Sequence, residues 1–527
     1  MPRDDNSATS RLDLHRVVVW MSVGFLTVAS GCAPAGPAAG GVDLTAEDQA
    51  LADLLNAYDR GDCATVLAEA PGFRTGSDLR LDAAAYAYGR CFYLGGDLAS
   101  AERVLRSPAA RVPANPYTPK AAYFEARAVY EQRRYDEAAG RFEAFTKRFS
   151  HDTYADNARY YAAMCVYHAG TRSEALAALT EVAADASVEH AYRGGAAYYA
   201  GRAALDLGLA GGPDAEAAFA TGLAWLELVL TDYPDTVVVD NAAYAIASLP
   251  YERGLFVDAV DPLTGFLAEW PDSSLADVAH YRLGRALEEA GRFDEALATY
   301  REHPARYPSS PYVDNANYHE GYVLWTMGGL AADGSAEQAS LYDQAAAAMQ
   351  ALLDGFPTSS YVPAAAYVVG RVRYEQRAWT AALAAFAVVL QTPTSTYVDN
   401  ALYYQGMSHY HTGLDGDRTA FDRAIASFEA LLAGFPSSSF ADGGAYFRGR
   451  SLFEALRFLD AAAAFDELCA RYPTSPYVDD ALHYLARAYA RLGRCEEALA
   501  AVQRLEAVAP GSPLIDSALE HLAEQGC

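Results

Sequence analysis

The chain contains almost no lysine. Among 527 residues only Lys120 and Lys147 occur, and the other side chains that are always cationic are arginines. Chemistry that depends on an amine, such as a Schiff base or a phosphate-binding P-loop, has next to nothing to draw on. No two cysteines stand at C-x-x-C spacing, which removes support for a zinc knuckle or a thioredoxin-like pair. The sequence also lacks G-x-S-x-G, H-E-x-x-H and a dinucleotide fingerprint. The eleven histidines are scattered; His409 and His411 are close, but residues two apart on a helix point in different directions. Positive charge is scarce as well: 40 lysines and arginines face 68 acids, for a net charge of −28. That argues against binding nucleic-acid phosphates. The apolar stretch from Val17 to Ala29 is too short for a good membrane span.

What is present is alanine, at a fixed interval. Ala64, Ala101, Ala138 and Ala175 are 37 apart, as are Gly222, Ala259 and Ala296, then Ala345 and Ala382, then Ala424, Ala461 and Ala498. A period of this size means stacked copies of one supersecondary unit. Alanine is the best helix former, and 52% of the residues are hydrophobic, enough for a continuous core. The expectation is an all-α solenoid, which grows in one dimension without domain breaks.

The first 32 residues do not share this pattern. Arg11, His15 and Arg16 precede the apolar stretch, and Ala29-Ser30-Gly31-Cys32 follows. A basic flank, a short apolar core and small residues before a cut form the layout of a secretory signal peptide. Gly31-Cys32 resembles the end of the lipobox of bacterial lipoproteins, although Ala29 stands where leucine is usual. The resemblance implies that 1–31 is a signal peptide and that Cys32 carries lipid at the mature N-terminus. The plainer alternative is a cleaved signal followed by an incidental cysteine. Small residues, proline and glycine make the segment up to residue 44 a flexible tether. Ala33, where aspartate favours inner-membrane retention in Gram-negative lipoproteins, makes the chain resemble an outer-membrane lipoprotein facing the periplasm.

Within the repeats, Gly284 is followed by Ala296, Tyr300 and Pro308 at offsets of 12, 16 and 24. Gly449, Ala461, Phe465 and Pro473 repeat this, as do Ala486, Ala498, Val502 and Pro510, and Gly89, Ala101, Leu105 and Pro113. Two small residues let paired helices approach, a large apolar residue fills the space beside them, and proline ends the second helix. This pattern resembles the tetratricopeptide repeat, whose usual length is about 34 residues. The resemblance implies a right-handed helical-hairpin solenoid. About twelve hairpins fit between residues 45 and 510, with a capping helix in 511–527. The additional residues per repeat fall between hairpins, as in Tyr307–Asp314 and Tyr472–Asp479, where serine or threonine followed by proline predicts a capped helix start. The period is interrupted near 208–216, 327–338 and 411–418, each time between the two helices of a hairpin. These insertions emerge on one edge, as loop growth or as partner contacts.

Aligned on the small residue of the first helix, tyrosine recurs three positions earlier, as in Tyr281, Tyr318, Tyr367, Tyr403 and Tyr446. Arginine recurs one position later, as in Arg285, Arg371 and Arg450, and an aromatic three further on, as in Trp325, Tyr374 and Tyr410. This spacing puts all three on one helix face. In the tetratricopeptide fold that face lines the concave surface, so these residues are candidate contacts for an extended peptide or an acidic partner. Packing between neighbouring helices is the alternative, with the arginines paired to acids such as Glu288, Glu375 and Glu454. Regular recurrence favours packing, because a structural residue recurs in every copy and a binding residue need not.

Cys63 begins the second helix of the first hairpin and Cys91 lies toward the end of the next first helix; Cys495 and Cys527 have a similar relation at the other end. Antiparallel stacking brings both pairs close, so disulfides Cys63–Cys91 and Cys495–Cys527 are expected, with free buried thiols as the alternative. Cys165 and Cys469 read as core thiols. No metal or cofactor is expected. The repeats occupy nearly the whole chain, so no segment is available for a catalytic domain. Some periplasmic lytic transglycosylases place a similar helical superhelix before a lysozyme-like domain, but no such domain is evident here.

The expectation is therefore a non-enzymatic, lipid-anchored scaffold that binds other envelope proteins. It resembles BamD-like outer-membrane assembly lipoproteins and the Tol-associated cell-division coordinator, both with far fewer repeats. The alternative is a cell-wall or polysaccharide factor whose tyrosines stack on sugars.

Overall fold

A small residue facing a large one sets the geometry of each hairpin. In the computed structural model, which describes residues 46–73, 77–112 and 114–527, a Cβ added to Gly370 would lie 2.5 Å from the ring of Phe386. The same close approach occurs between Gly284 and Tyr300, Gly406 and Phe428, and Gly449 and Phe465, each at 2.6 Å. Phe386, Phe428, Phe465 and Tyr300 are fully buried, so these rings occupy the space that glycine leaves.

All regular structure among the described residues is helical. The chain divides into two compact units, one ending at Arg253 and the other running Gly254–Cys527. The first contains α1 (Ala46–Asp59), α2 (Cys63–Glu69), α3 (Asp78–Leu94), α4 (Leu98–Ala109), α5 (Thr118–Glu131) and α6 (Tyr135–Arg148). It continues with α7 (Ala155–Ala169), α8 (Arg172–Ala184), α9 (His190–Leu209), α10 (Ala215–Asp232) and α11 (Val239–Glu252). The second contains α12 (Phe256–Glu269), α13 (Ala276–Glu289), α14 (Phe293–Arg306), α15 (Val313–Leu330), α16 (Ala336–Gly355), α17 (Val362–Glu375) and α18 (Trp379–Leu390). It ends with α19 (Val398–Leu414), α20 (Ala420–Gly434), α21 (Ala441–Glu454), α22 (Phe458–Arg471), α23 (Val478–Arg491), α24 (Cys495–Val508) and α25 (Pro513–Glu524). In chain order these helices alternate as first and second helices, with five complete pairs in the first unit (α1–α10) and six in the second (α13–α24). The division between units falls between α11 and α12, where the sixth hairpin is expected. Within each unit consecutive helices pack, and successive first helices also touch, as α17 does with both α15 and α19. Helix α25 packs on both helices of the last pair. The signal-like segment 1–31, Cys32, the tether to 44 and Pro113 lie outside the described residues.

The turn inside most ordinary hairpins is a Schellman motif; the turn after α7 is an exception, with Gly170 extended at φ −86°. The residue seven places after the small one takes positive φ, as in Gly291 (74°), Gly493 (71°), Arg377 (57°) and Leu456 (63°). The next backbone N–H donates back across the turn: Arg292 to Leu287 at 2.8 Å, Ala378 to Arg373 at 2.9 Å and Arg457 to Leu452 at 2.9 Å.

Two local expectations change. The serine of the Ser-Pro turns before α15 and α23 does not cap the helix that follows. Helix α15 starts at Val313, and Ser310 Oγ accepts from Tyr312 N at 3.1 Å, a side-chain turn set before the helix. Ser475 does the same for Tyr477 at 3.2 Å. The interruptions near 208–216, 327–338 and 411–418 also do more than lengthen loops. There Gly208, Gly328 and Gly413 occupy the seventh position but stay helical, and α9, α15 and α19 continue to Leu209, Leu330 and Leu414. An aromatic on the second helix supports each extension: a Cβ on Gly208, Gly328 or Gly413 would lie 2.5–2.6 Å from Phe219, Tyr342 or Phe421.

Both ends are cross-linked. Cys63 and Cys91 form one disulfide with Cα atoms 5.3 Å apart, and Cys495 and Cys527 form another at 5.1 Å. Cys165 is a buried free thiol and Cys469 a half-buried one.

Gly370→Ala is expected to lower stability by about 1–3 kcal/mol through overpacking. Adding Phe386→Leu should restore part of the loss, measured by urea unfolding; equal stability of Gly370→Ala and the parent would contradict the close-contact account. Closing loops of 28 and 32 residues is worth roughly 3–4 kcal/mol each by chain entropy. Replacing Cys495 and Cys527 by serine should therefore raise hydrogen exchange in α25 first, while α17 and α18 stay protected.

Candidate functional site

The tyrosine column is a set of inter-repeat stacks. Each tyrosine lies against the aromatic that precedes the next first helix. Tyr281 meets Tyr312 at 5.2 Å and 11°, and Tyr318 meets Tyr361 at 4.4 Å and 19°. Tyr367 meets Tyr397 at 5.1 Å and 25°, and Tyr446 meets Tyr477 at 5.0 Å and 13°. Tyr403 meets Phe440 at 4.9 Å with a larger tilt of 32°. Tyr123 and Tyr154 show the same pairing in the first unit, at 4.5 Å and 17°. Tyr318, Tyr367 and Tyr446 are buried. Burial raises the hydroxyl pKa, to about 12 in Tyr374, Tyr410 and Tyr446. These phenols are protonated at neutral pH and supply no base.

The arginine column joins the same repeats a second way. Arg371 lies 4.0 Å above the Tyr404 ring, Arg450 4.0 Å above Tyr484, and Arg127 3.9 Å above Tyr161. In each case the ring belongs to the following first helix. The same guanidinium donates to the column tyrosine one turn back: Arg371 to Tyr367 Oη at 3.3 Å, Arg450 to Tyr446 Oη at 3.1 Å. It also pairs with a glutamate one turn ahead, Arg371 with Glu375 at 2.9 Å and Arg450 with Glu454 at 3.6 Å. About one-fifth of the Arg371 side chain (22%) and of the Arg450 side chain (19%) remains exposed. A planar guanidinium suits this bracket, stacking on a ring while donating in its own plane; a lysine ammonium cannot do both.

Arg285 has an unusual version of this arrangement, because His319 stands where Arg127, Arg371 and Arg450 meet a tyrosine. Arg285 Nη1 is 2.8 Å from His319 Nε2, and Arg285 pairs with Glu289 at 3.0 Å. His319 Nδ1 is 3.0 Å from Glu288 Oε2, which also accepts from Tyr300 Oη at 2.7 Å. Burial alone would raise the Glu288 carboxyl, but His319, Arg285 and Tyr300 outweigh it and hold it below the ordinary value.

The third column is also mostly packed. Tyr410 is buried against Phe447 at 5.5 Å. Tyr374 is half-buried edge-on to Tyr404 at 5.1 Å, and Trp325 is half-buried beside Tyr322 at 6.3 Å. Two further contributors lie beside the columns. One is the ring directly after the column tyrosine, in Tyr160-Tyr161, Tyr403-Tyr404 and Tyr446-Phe447. It was visible as an aromatic doublet. The other is an aspartate seven positions before the small residue, which receives the serine of the next turn: Ser438 donates to Asp399 at 2.7 Å and Ser475 to Asp442 at 2.8 Å.

Among the described residues, no group of three or more histidine, cysteine, aspartate or glutamate side chains is arranged to hold a metal, and no helix is long and apolar enough to cross a membrane. What this face leaves partly exposed is the edges of Arg371 and Arg450 and the glutamates beside them.

Residues 123–190, 244–311 and 446–513 match the tetratricopeptide repeat family. These segments are tetratricopeptide repeats. Residues 331–445, which lie between two of them, match the YfiO outer membrane lipoprotein family. Among solved structures, a tetratricopeptide repeat protein from Parabacteroides merdae is 14% identical, over 54% of this chain and 98% of its own, with a TM-score of 0.32. The C-terminal part of a repeat-containing protein from Cytophaga hutchinsonii is 16% identical, over 52% and 99%, with a TM-score of 0.39. The pilF protein of Pseudomonas aeruginosa is 16% identical, over 47% and 97%, with a TM-score of 0.32. No curated protein matches the chain.

Arg371→Ala is expected to cost about 1–2 kcal/mol in thermal or urea unfolding, from the cation–π contact and its two polar partners. Arg371→Lys should recover less than half of that. Three histidines, His280, His409 and His483, are pushed down to about 4, chiefly by burial. Their folded pKa lies below the unfolded value near 6.5, so the unfolded chain binds more protons between those limits. Stability should be constant above about pH 6.5 and fall toward pH 4. His280→Gln should flatten that fall in melting curves taken across the window.

Proposed function

We propose that the protein is a lipid-anchored scaffold of the bacterial cell envelope that binds other proteins along its first helices. Cys32 would carry the lipid, the tether to residue 44 would give reach, and the repeats would face the periplasm from the outer membrane. The work would lie in outer-membrane protein assembly or in coordinating the envelope during division, as a binding protein without catalysis.

The observation that carries this reading is the YfiO match at 331–445, embedded in tetratricopeptide repeats. It adds an outer-membrane lipoprotein family to the signal-like N-terminus and Gly31-Cys32. Covered tyrosine faces favour a protein partner over a glycan, since a sugar needs an open ring to stack on. The arginine edges and glutamates at the rim of Arg285, Arg371 and Arg450 supply charged contacts of the kind a peptide uses.

The test is made in cells. Cys32→Ala should move the protein from the membrane to the soluble periplasmic fraction and abolish incorporation of labelled fatty acid. A crosslinker placed beside Glu375 should capture a defined envelope protein after mild detergent extraction. Retention of Cys32→Ala at the membrane, or crosslinks to glycan alone, would overturn the proposal.

A further inference from the structure

The extended hairpins flank an ordinary one in the second unit and leave a gap at its end. Ordinary first helices stop five residues after the small position, as α17 does at Glu375, and the turn closes through Arg377. On either side, α15 runs to Leu330 and α19 to Leu414, three or four residues further past Gly321 and Gly406. At about 1.5 Å per residue, each neighbour rises roughly one turn, ~5 Å, above the turn between α17 and α18. Packed helices lie about 8–10 Å apart, so the missing tip leaves a notch one hairpin wide. An α-helix with its side chains is about 10–12 Å across.

The notch is a fixed structure with an apolar rim. Its floor is tied to both walls. On one side Gln376 Nε2 donates to Asp343 Oδ1 at 2.7 Å, with Arg373 3.7 Å from the same carboxylate. On the other, Trp379 stacks on His411 at 4.7 Å and 11°, and its Nε1 donates to Asp415 at 2.7 Å. Arg377, between them, is exposed and holds positive φ without glycine. Such a conformation persists only where its surroundings enforce it. Leu330 is 71% exposed and Leu414 50%, two large apolar side chains held out at the tips. The walls are acid-rich: Asp333, Glu337 and Asp343 on one, Asp415 on the other, against Arg373 and Arg377 on the floor.

We infer that this notch is a docking site for a single amphipathic helix of a partner protein, with apolar residues facing Leu330 and Leu414 and lysine or arginine beside the wall carboxylates. Width selects one helix, an exposed leucine on each wall selects apolar residues on its two flanks, and the excess of carboxylates selects basic residues beside them. The site is separate from the first-helix face and does not depend on where the protein is anchored.

The test uses the purified chain and three 14-residue peptides: a leucine–lysine amphipathic helix, its leucine–glutamate counterpart, and a scrambled leucine–lysine sequence. Calorimetry should find one site for the first peptide and at least tenfold weaker binding of the other two. Leu330→Ser combined with Leu414→Ser should weaken the first peptide at least tenfold, whereas Leu459→Ser, at another hairpin turn, should not. Binding should perturb Trp379 fluorescence, and Trp379→Phe should lose that signal while still binding, which locates the site even if the double variant is unstable. Equal binding of the scrambled or acidic peptide, several equivalent sites, or full affinity in a folded double variant would overturn the inference.

Discussion

Each repeat depends on how closely two helices can approach within a hairpin. The distance is set where a residue with little or no side chain lets a ring lie directly on the helix backbone, as Phe386 does at Gly370. Once that contact is made, the outward direction of every other position on the first helix follows. The tyrosine three places earlier then reaches the next turn, and the arginine one place later reaches the next first helix. The repeats are thus coupled only to their neighbours, the energetic form expected of a solenoid.

The periodic residues are mainly used on joining repeats. Tyr281, Tyr318, Tyr367, Tyr403 and Tyr446 put their faces on rings of the following turn, and Arg371 and Arg450 bridge a tyrosine, a ring and a glutamate. What remains for recognition is the non-periodic remainder: exposed edges of the arginines, the glutamates beside them, and features that differ from copy to copy. The departures from the period, Gly328 and Gly413 held helical where other repeats turn, therefore carry more functional information than the columns do.

Much of this could be read from the chain. The alanine interval predicts the twelve pairs and the final helix, and hairpin geometry brings Cys63 to Cys91 and Cys495 to Cys527, because both arguments rest on contacts within one or two repeats. The columns were also visible, but the ring beneath each arginine was not singled out. Arg371 and Tyr404 are 33 residues apart on different helices, and nothing local to Arg371 identifies its partner. The tips are hard to read because Gly413 and Gly291 are both glycines seven places after a small residue; Gly413 stays helical with buried Phe421 packed opposite it, whereas Gly291 takes positive φ. Ser310 precedes its helix by more than its sequence suggests, because a hydroxyl that caps a helix and one that closes a turn before it have the same sequence signature. The division at Arg253 leaves no trace in the period at all.

The arginine brackets impose an order on the repeats. An arginine after the small residue forms this bracket only where the successor has a ring two places before its own small residue: Arg90 has Phe124, Arg127 has Tyr161, Arg371 has Tyr404 and Arg450 has Tyr484. Where the successor has Ala245, Arg202 sits instead near Asp206 at 3.8 Å and Glu252 at 4.0 Å. Copies of this unit are therefore not interchangeable beads. A duplicated or shuffled hairpin would have to arrive beside a compatible neighbour, so the history by which such an array lengthens is constrained by a syntax written at its junctions.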